Sequence, residues 1–269
     1  MSSKKSSRPK IGLALGSGGS RGMAHIGVIK AFVENDISID YIAGTSVGAL
    51  VGGLYAAFNS TDKLDELVNE LNYRDLAKIF FDPNLSFDAL IRGNKATNYL
   101  SNLLGQINIE NLLTPFSAVS TDIHSGQTHI FSHGSLVTAI RASISIPIVF
   151  SPFKFNESSF VDGGTSQPVP VATVKNMGAD IVVAVNLYEN LFPRPSSTGI
   201  NLSLENILSS SVYLLLYHLS KANSAAADYT INPQGQNINP FDFILAKKLI
   251  DVGFQSALPI IKEIKSKLT

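Results

Sequence analysis

The 269-residue chain contains no cysteine. That excludes disulfides and thiolate metal sites, and it fits a reducing compartment. It has no tryptophan and no surplus charge either: Lys+Arg and Asp+Glu are both 21, with a pI near 7. Nothing in that balance supplies an electrostatic footprint for nucleic acid. Long apolar runs are missing too. The richest, "VYLLLYHL" at 212–219, is too short to cross a bilayer and holds His218. The start, "MSSKKSSRPK", carries Lys4, Lys5, Arg8 and Lys10, but only five apolar residues follow before the glycines and Arg21. Neither a signal peptide nor a membrane anchor is built from that. The expectation is a disordered basic tail over 1–10 that can touch anionic lipid. The protein itself is expected in the cytoplasm or peripheral to the inner membrane face.

What is present is core. Apolar residues make up 45% of the chain, enough to bury a substantial interior. Ile11 to Leu15 reads as a buried strand, and 22–35 has the spacing of a helix. Residues 39–43 read as a second strand, and 47–58, small and apolar, as a helix packed tightly on a sheet. Strand–helix–strand–helix predicts a parallel sheet covered by helices. Residues 59–114 read as mostly helical, with a break at 82–86. Strands are expected at 115–123, 129–131 and 178–188, a helix at 135–144, and long helices at about 203–228 and 241–268.

Three stretches can carry chemistry. In "LALGSGGSRG", 13–22, glycines between a strand and a helix expose amide groups beside a positive helix end, which suits an anion. The dinucleotide fingerprint fails because position 21 is Arg21, and the phosphate-loop Gly-Lys-Ser/Thr is absent. In "YIAGTSVGALVGG", 41–53, Gly44-Thr45-Ser46-Val47-Gly48 matches G-x-S-x-G, the pattern of a nucleophile elbow. An N-capping serine explains the same letters. In "FVDGGTSQPVP", 160–170, Asp162 precedes two glycines. An Asp-Gly turn, such as a hairpin, is the plain reading, and a base for a serine nucleophile is the other.

Together, in this order, the three stretches resemble the patatin-like phospholipase family, and most of all its short bacterial members related to the esterase domain of neuropathy target esterase. The residues carrying the resemblance are Gly18-Gly19-Ser20-Arg21-Gly22, Gly44-Thr45-Ser46-Val47-Gly48 and Asp162-Gly163-Gly164, with flanks "IGLALGSGGSRGMAHIGVI" and "PVPVATVKNMGADIVVAVNL". The resemblance covers roughly residues 11–190. It implies a three-layer α/β/α patatin-like fold with a mostly parallel central sheet and a nucleophile elbow. Residues 11–190 are the implied catalytic core, and 191–269 a C-terminal helical extension packed on the same domain. It further implies Ser46 as nucleophile, Asp162 as base, and an oxyanion hole from the amides of Gly18 and Gly19 with Ser20 and Arg21. Gly16, Gly22, Gly44, Gly48, Gly163 and Gly164 support those motifs. The implied activity is hydrolysis of acyl esters of phospholipids or lysophospholipids through an acyl-enzyme, with no metal and no cofactor. The implied partners are a lipid substrate and a transient membrane surface. Gly16 and Ser17 depart from the plant members, which have an acid and a glycine there, and Gln167 stands where asparagine or aspartate is expected.

An isolated carboxylate, with a pKa near 3.9, is a weak base for an alcohol. Burial of Asp162 would raise it, and oxyanion donors would share the work. A triad would need a histidine after the aspartate. Only His218 follows, in an apolar helical run where a core or capping role is the better reading. His25 reads as a structural histidine near the glycine loop, and His124, His129 and His133 as surface residues. Arg21 reads as a fork holding the loop. Aromatic and aliphatic residues in 73–104, including Phe80, Phe81 and Phe87, suit a lid or ordinary helix packing. The competing function is a non-catalytic nucleotide- or phosphate-binding protein using the glycine loop.

Overall fold

Strand β1 (Ile11–Leu15) is wholly buried, and its two faces meet different neighbours. Ile11, Leu13 and Leu15 point into one large apolar cluster, whereas Ala14 joins a smaller one with Val171, Val174 and Val182. A strand apolar on both faces belongs inside a parallel sheet covered on both sides. A computed structural model describes residues 8–70, 92–192, 203–234 and 245–268. The 73–91 part of the expected lid, with Phe80, Phe81, Phe87 and the 82–86 break, lies outside the described residues.

The elements in chain order are β1, α1 (Met23–Glu34), β2 (Tyr41–Thr45), α2 (Val47–Phe58), α3 (Thr61–Glu70), α4 (Asn94–Leu104), β3 (Phe116–Asp122), β4 (Thr128–Phe131) and α5 (Leu136–Ser143). Then come β5 (Phe153–Phe155), β6 (Ser158–Asp162), α6 (Val171–Asn176), β7 (Ile181–Val185), α7 (Leu204–Ser224), β8 (Tyr229–Ile231) and α8 (Ala246–Leu268). Strands β3, β2, β1, β7 and β8 run parallel in that spatial order. Helices α1, α2 and α5 fill one face, where Phe32, Ile29 and Ile140 are fully buried. Each such side chain is worth about 2–3 kcal/mol of transfer free energy. Helix α6 covers the other face.

The register around β3 positions everything that follows. Residues 118–121 pair antiparallel with β4. Residues 116–119 pair with β2, and 120–122 pair antiparallel with β6. Since a strand has only two edges, β2 and β6 must share the edge opposite β4. They run towards each other along it and stop at adjacent positions.

Two parts of the structure differ from the sequence reading. Residues 8–10 are not a free tail: Arg8 makes a two-pronged ion pair with Asp40 at 2.6 and 2.9 Å, and the Lys10 amide donates to Asp180. Those carboxylates, at the base of the sheet, draw the basic residues in. The C-terminal region is not only helical. Tyr229–Ile231 forms β8 on the sheet edge, and α8 lies against α1. A Cβ on Gly253 would stand 2.0 Å from the Ala24 carbonyl oxygen, so these two helices meet backbone to backbone.

Candidate active site

Ser46 occupies the junction between β2 and α2 with φ 57° and ψ −124°. This conformation costs a non-glycine residue about 1–3 kcal/mol and persists only where surroundings enforce it. The bend is so tight that a Cβ on Gly44 would stand 2.3 Å from the Gly48 carbonyl oxygen. One on Gly48 would stand 2.1 Å from that of Leu15. The Ser46 amide donates to Ser143 Oγ at 2.9 Å, and Ser143 donates in turn to the Val119 carbonyl at 2.6 Å. The Ser46 carbonyl accepts from Ala49 and Leu50, the first turn of α2. The serine is therefore clamped on both sides, and it is 4% exposed.

Asp162 ends β6. Its amide donates to the Ser145 carbonyl at 2.8 Å, and its Oδ1 accepts the Gly164 amide at 2.7 Å, capping a short helical turn over Gly163–Thr165. The Asp-Gly turn read from this stretch is present as that helical turn and not as a hairpin: the hairpin is the β5–β6 pair, which turns at Asn156 and Glu157, upstream of the aspartate. Asp162 is 5% exposed, and among the described residues its Oδ2 has no aligned hydrogen-bond partner. Burial pushes its pKa up to about 6, against the opposing pull of the Ser46 hydroxyl and the Gly164 amide. The Ser46 hydroxyl thus lies within electrostatic reach of this buried carboxyl.

The glycine loop lies alongside. The amides of Gly16 and Ser17 are spent on the carbonyls of Val185 and Pro168. Those of Gly18 and Gly19, at the head of a short helical turn, make no such bond among the described residues. A Cβ on Gly22 would stand 2.3 Å from Val47 Cγ1, and one on Gly164 would stand 3.1 Å from Ser17 Oγ. The loop is thereby wedged between the serine's helix and the aspartate's turn. His25, fully buried on α1, bonds the Gly16 carbonyl at 2.7 Å through Nε2. Burial lowers its pKa to about 4, so it is neutral near pH 7 and donates from that nitrogen. This is the structural role expected of it.

Arg21, 3% exposed, donates from Nε to the Gly18 carbonyl at 3.1 Å. Its guanidinium lies 5.0 Å from the ring centre of Tyr188 and 5.7 Å from that of Tyr213, a cation–π arrangement. Ser17 donates to the Tyr188 hydroxyl at 3.2 Å, and burial raises the pKa of that phenol to about 12. Gln167 is also engaged: its carbonyl accepts from Thr45 and its side chain from Thr173.

The structure brings Ser46, Asp162, Gly163, Gly164 and the 16–22 loop into one region. His218 stays apart: it is exposed on α7, its ring 5.1 Å from that of Tyr217, and it makes no hydrogen bond to Ser46 or Asp162. A core or capping role was expected, but its side of α7 faces outward. His124, His129 and His133 are exposed as read. Sequence reasoning missed Ser143, Ser145 and Tyr188, since no motif marks them and only the folded register shows what they touch. Chemically, the arrangement offers an alcohol, an adjacent proton acceptor in a dry setting, and amide donors on a rigid loop.

The family of patatin-like phospholipases matches residues 13–175. A Mycobacterium bovis protein of the NTE family is 41% identical over 182 residues, covering 68% of this chain and 50% of its own length. The lysophospholipase NTE1 of Yarrowia lipolytica is 31% identical over 195 residues, covering 72% of this chain but 14% of its own. The chain thus spans about half, or far less, of these relatives. The crystal structure of VipD from Legionella pneumophila superposes with a TM-score of 0.55 at 12% identity, over 95% of this chain and 67% of that one, which shows a shared fold. The family match spans more than half of the chain, through both the elbow and the aspartate: the chain belongs to the patatin-like phospholipase family.

Proposed function

We propose that the protein is a serine acyl hydrolase that cleaves carboxylic esters of phospholipids or lysophospholipids. One observation carries the reading: a strained Ser46 faces a buried Asp162 on which its hydroxyl exerts a pull, and whose Oδ2 has no aligned hydrogen-bond partner among the described residues. Asp162 accepts the serine proton as Ser46 attacks the ester carbonyl. The amides of Gly18 and Gly19, with Ser20 and Arg21 beside them, stabilise the oxyanion, where one donor is worth about 3 kcal/mol of barrier. The alcohol leaves with the proton, and water then releases the acyl-enzyme by the same route. Residues 11–190 supply the chemistry, and 191–269 complete the same folded unit. The names borne by the fungal relatives support a lipid substrate.

Contact with lipid falls to α7. Leu204, Leu208, Val212 and Leu215 form an exposed apolar stripe, and Tyr213, about half a turn round the helix, faces Arg21 of the glycine loop. Among the described residues no helix is long and apolar enough to cross a membrane; the exposed stripe suits a helix that lies along a lipid surface.

Incubation with a fluorophosphonate, digestion and mass spectrometry test the central claim. Labelling of Ser46 in the wild type, together with turnover of a short nitrophenyl ester that Ser46→Ala lacks, is the expected result. No labelling, combined with tight nucleotide binding, would return the protein to the phosphate-binding reading.

A further inference from the structure

Ser120 lies within β3, directly opposite Asp162 of β6 on one edge and His129 of β4 on the other. Directly opposed residues carry their side chains on one face of the sheet, with Cβ atoms about 4.5–5.5 Å apart. The Asp162 amide is spent on the Ser145 carbonyl. The Ser120–Asp162 pair is therefore the kind that exchanges no backbone bonds, in which side chains approach most closely. Ser120 is 0% exposed, yet among the described residues its hydroxyl has no hydrogen-bond partner. Other buried serines around the dyad are engaged: Ser17 with Tyr188, Ser143 with the Val119 carbonyl and Ser145 with Arg141.

An unpaired hydroxyl in a dry interior is costly. Alanine would fill the same place without that cost, as Ala118 does two residues earlier on the same face. The hydroxyl therefore points to a neighbour that calls on it in one state of the site. Asp162 has the capacity, since a carboxylate offers about four acceptor positions. Gly164 donates to Oδ1, the Ser46 hydroxyl adds a second pull, and Oδ2 has no aligned partner among the described residues. The surrounding elements carry five charged or titratable groups: Asp122 on β3, His129 on β4, Arg141 on α5, and Arg21 and Tyr188 by the glycine loop. Among the described residues none of them hydrogen-bonds this carboxylate; Asp122 is turned into its own loop and Arg141 is bonded to Ser145 and backbone carbonyls.

We propose that Ser120 is a positioning residue for the reaction: its hydroxyl turns about one bond, donates to ionised Asp162 and holds that carboxylate in place. The proposal rests on the hydrolase reading and deepens it by adding a residue that no motif marks. The need is greatest in the acyl-enzyme, where the Ser46 oxygen carries the acyl group and has no hydrogen to give. Asp162 must then be ionised to take a proton from water, and a cross-strand hydroxyl replaces the lost donor. Ser120 keeps its own proton throughout; only Asp162 gains and returns one.

The test is the pH–rate profile of Ser120→Ala on a soluble ester. Burial already pushes the pKa of Asp162 up to about 6, and removing a donor to its charged form pushes it further. The inflections of kcat and kcat/KM are expected to move up by about one unit, which is a roughly fivefold loss at pH 6 and little loss at pH 9. An unmoved inflection overturns the proposal. His129→Gln is the control, because that imidazole stands across from Ser120 and desolvation lowers its pKa. It is expected to leave the inflection in place, and a shift equal to that of Ser120→Ala would hand the titration to the histidine and overturn the proposal. Thermal melts give a readout without turnover. Ser120→Ala should melt below wild type at pH 8 but not at pH 4, and the difference should vanish in an Asp162→Asn background. A variant at least as stable as wild type at both pH values shows a hydroxyl that serves nothing. If the wild type turns over no ester at all, the hydrolase reading fails, whereas the melts still report whether Ser120 serves ionised Asp162.

Discussion

Thr45 and Asp162 sit at consecutive positions along one edge of β3, opposite Val119 and Ser120. They belong to strands 117 residues apart that approach from opposite directions. The residue after Thr45 is the bent Ser46, and the last residue of the oncoming strand is the carboxylate. The meeting of alcohol and acid is thus a property of sheet register, held by strand hydrogen bonds rather than by a loop.

The carboxyl of Asp162 must be ionised to accept a proton, and its pKa is pushed up to about 6. The value of kcat/KM is expected to rise with pH through an apparent pKa near 6 and to level off above it. Asp162→Asn is expected to lose at least a thousandfold in kcat. A pH–rate profile on a soluble ester checks both.

The same shift has a thermodynamic side. A carboxyl whose folded pKa exceeds its unfolded value of 3.8 favours the folded state below pH 3.8, and that contribution is lost as pH rises through 6. Asp162→Asn should therefore be more stable than wild type at pH 8, by at most about 3 kcal/mol, with the gain vanishing near pH 4. Thermal melts at the two pH values measure it.

Ser46→Gly removes both the hydroxyl and the cost of φ 57°. It is expected to be inactive and about 1 kcal/mol more stable, a trade of stability for function. Paired melts and ester assays check this.

Ser143→Ala keeps every proposed reacting group but strands the Ser46 amide and the Val119 carbonyl that Ser143 Oγ joins. A loss of about 1–3 kcal/mol in stability is expected. A fall in kcat of roughly tenfold, with KM for a short ester little changed, is expected because the nucleophile drifts from its position. Ser143→Thr, which keeps the oxygen, should recover part of that fall.

Leu208→Glu with Leu215→Glu places charge on the exposed stripe of α7. Vesicle sedimentation should drop severalfold, together with turnover of lipid in vesicles, while hydrolysis of a soluble ester persists. Equal loss on both substrates would remove α7 from the lipid contact.

The first half of the core was legible because its signals are local. The β1–α1–β2–α2 order follows from apolar runs broken by glycines, and α2 occupies the residues read for it, 47–58. Strands β5, β6 and β8, of three to five residues, were not legible. In "SSFVD" and "DYTIN" too few residues alternate to set a period, and pairing partners decide the outcome. The letters of the elbow and of Asp162-Gly163-Gly164 suggested what should meet. They gave no hint of Ser143 or Ser145, whose value comes only from standing beside the strand ends.

Helix α8 touches neither Ser46 nor Asp162, yet it lies flush against the stem of the helix that follows the glycine loop. A gene truncated before residue 246 would still encode every group assigned to the reaction. Its product would leave the apolar flank of α1 open to water and the donors untethered, so the last 23-residue helix belongs in any minimal version of this protein that is asked to work.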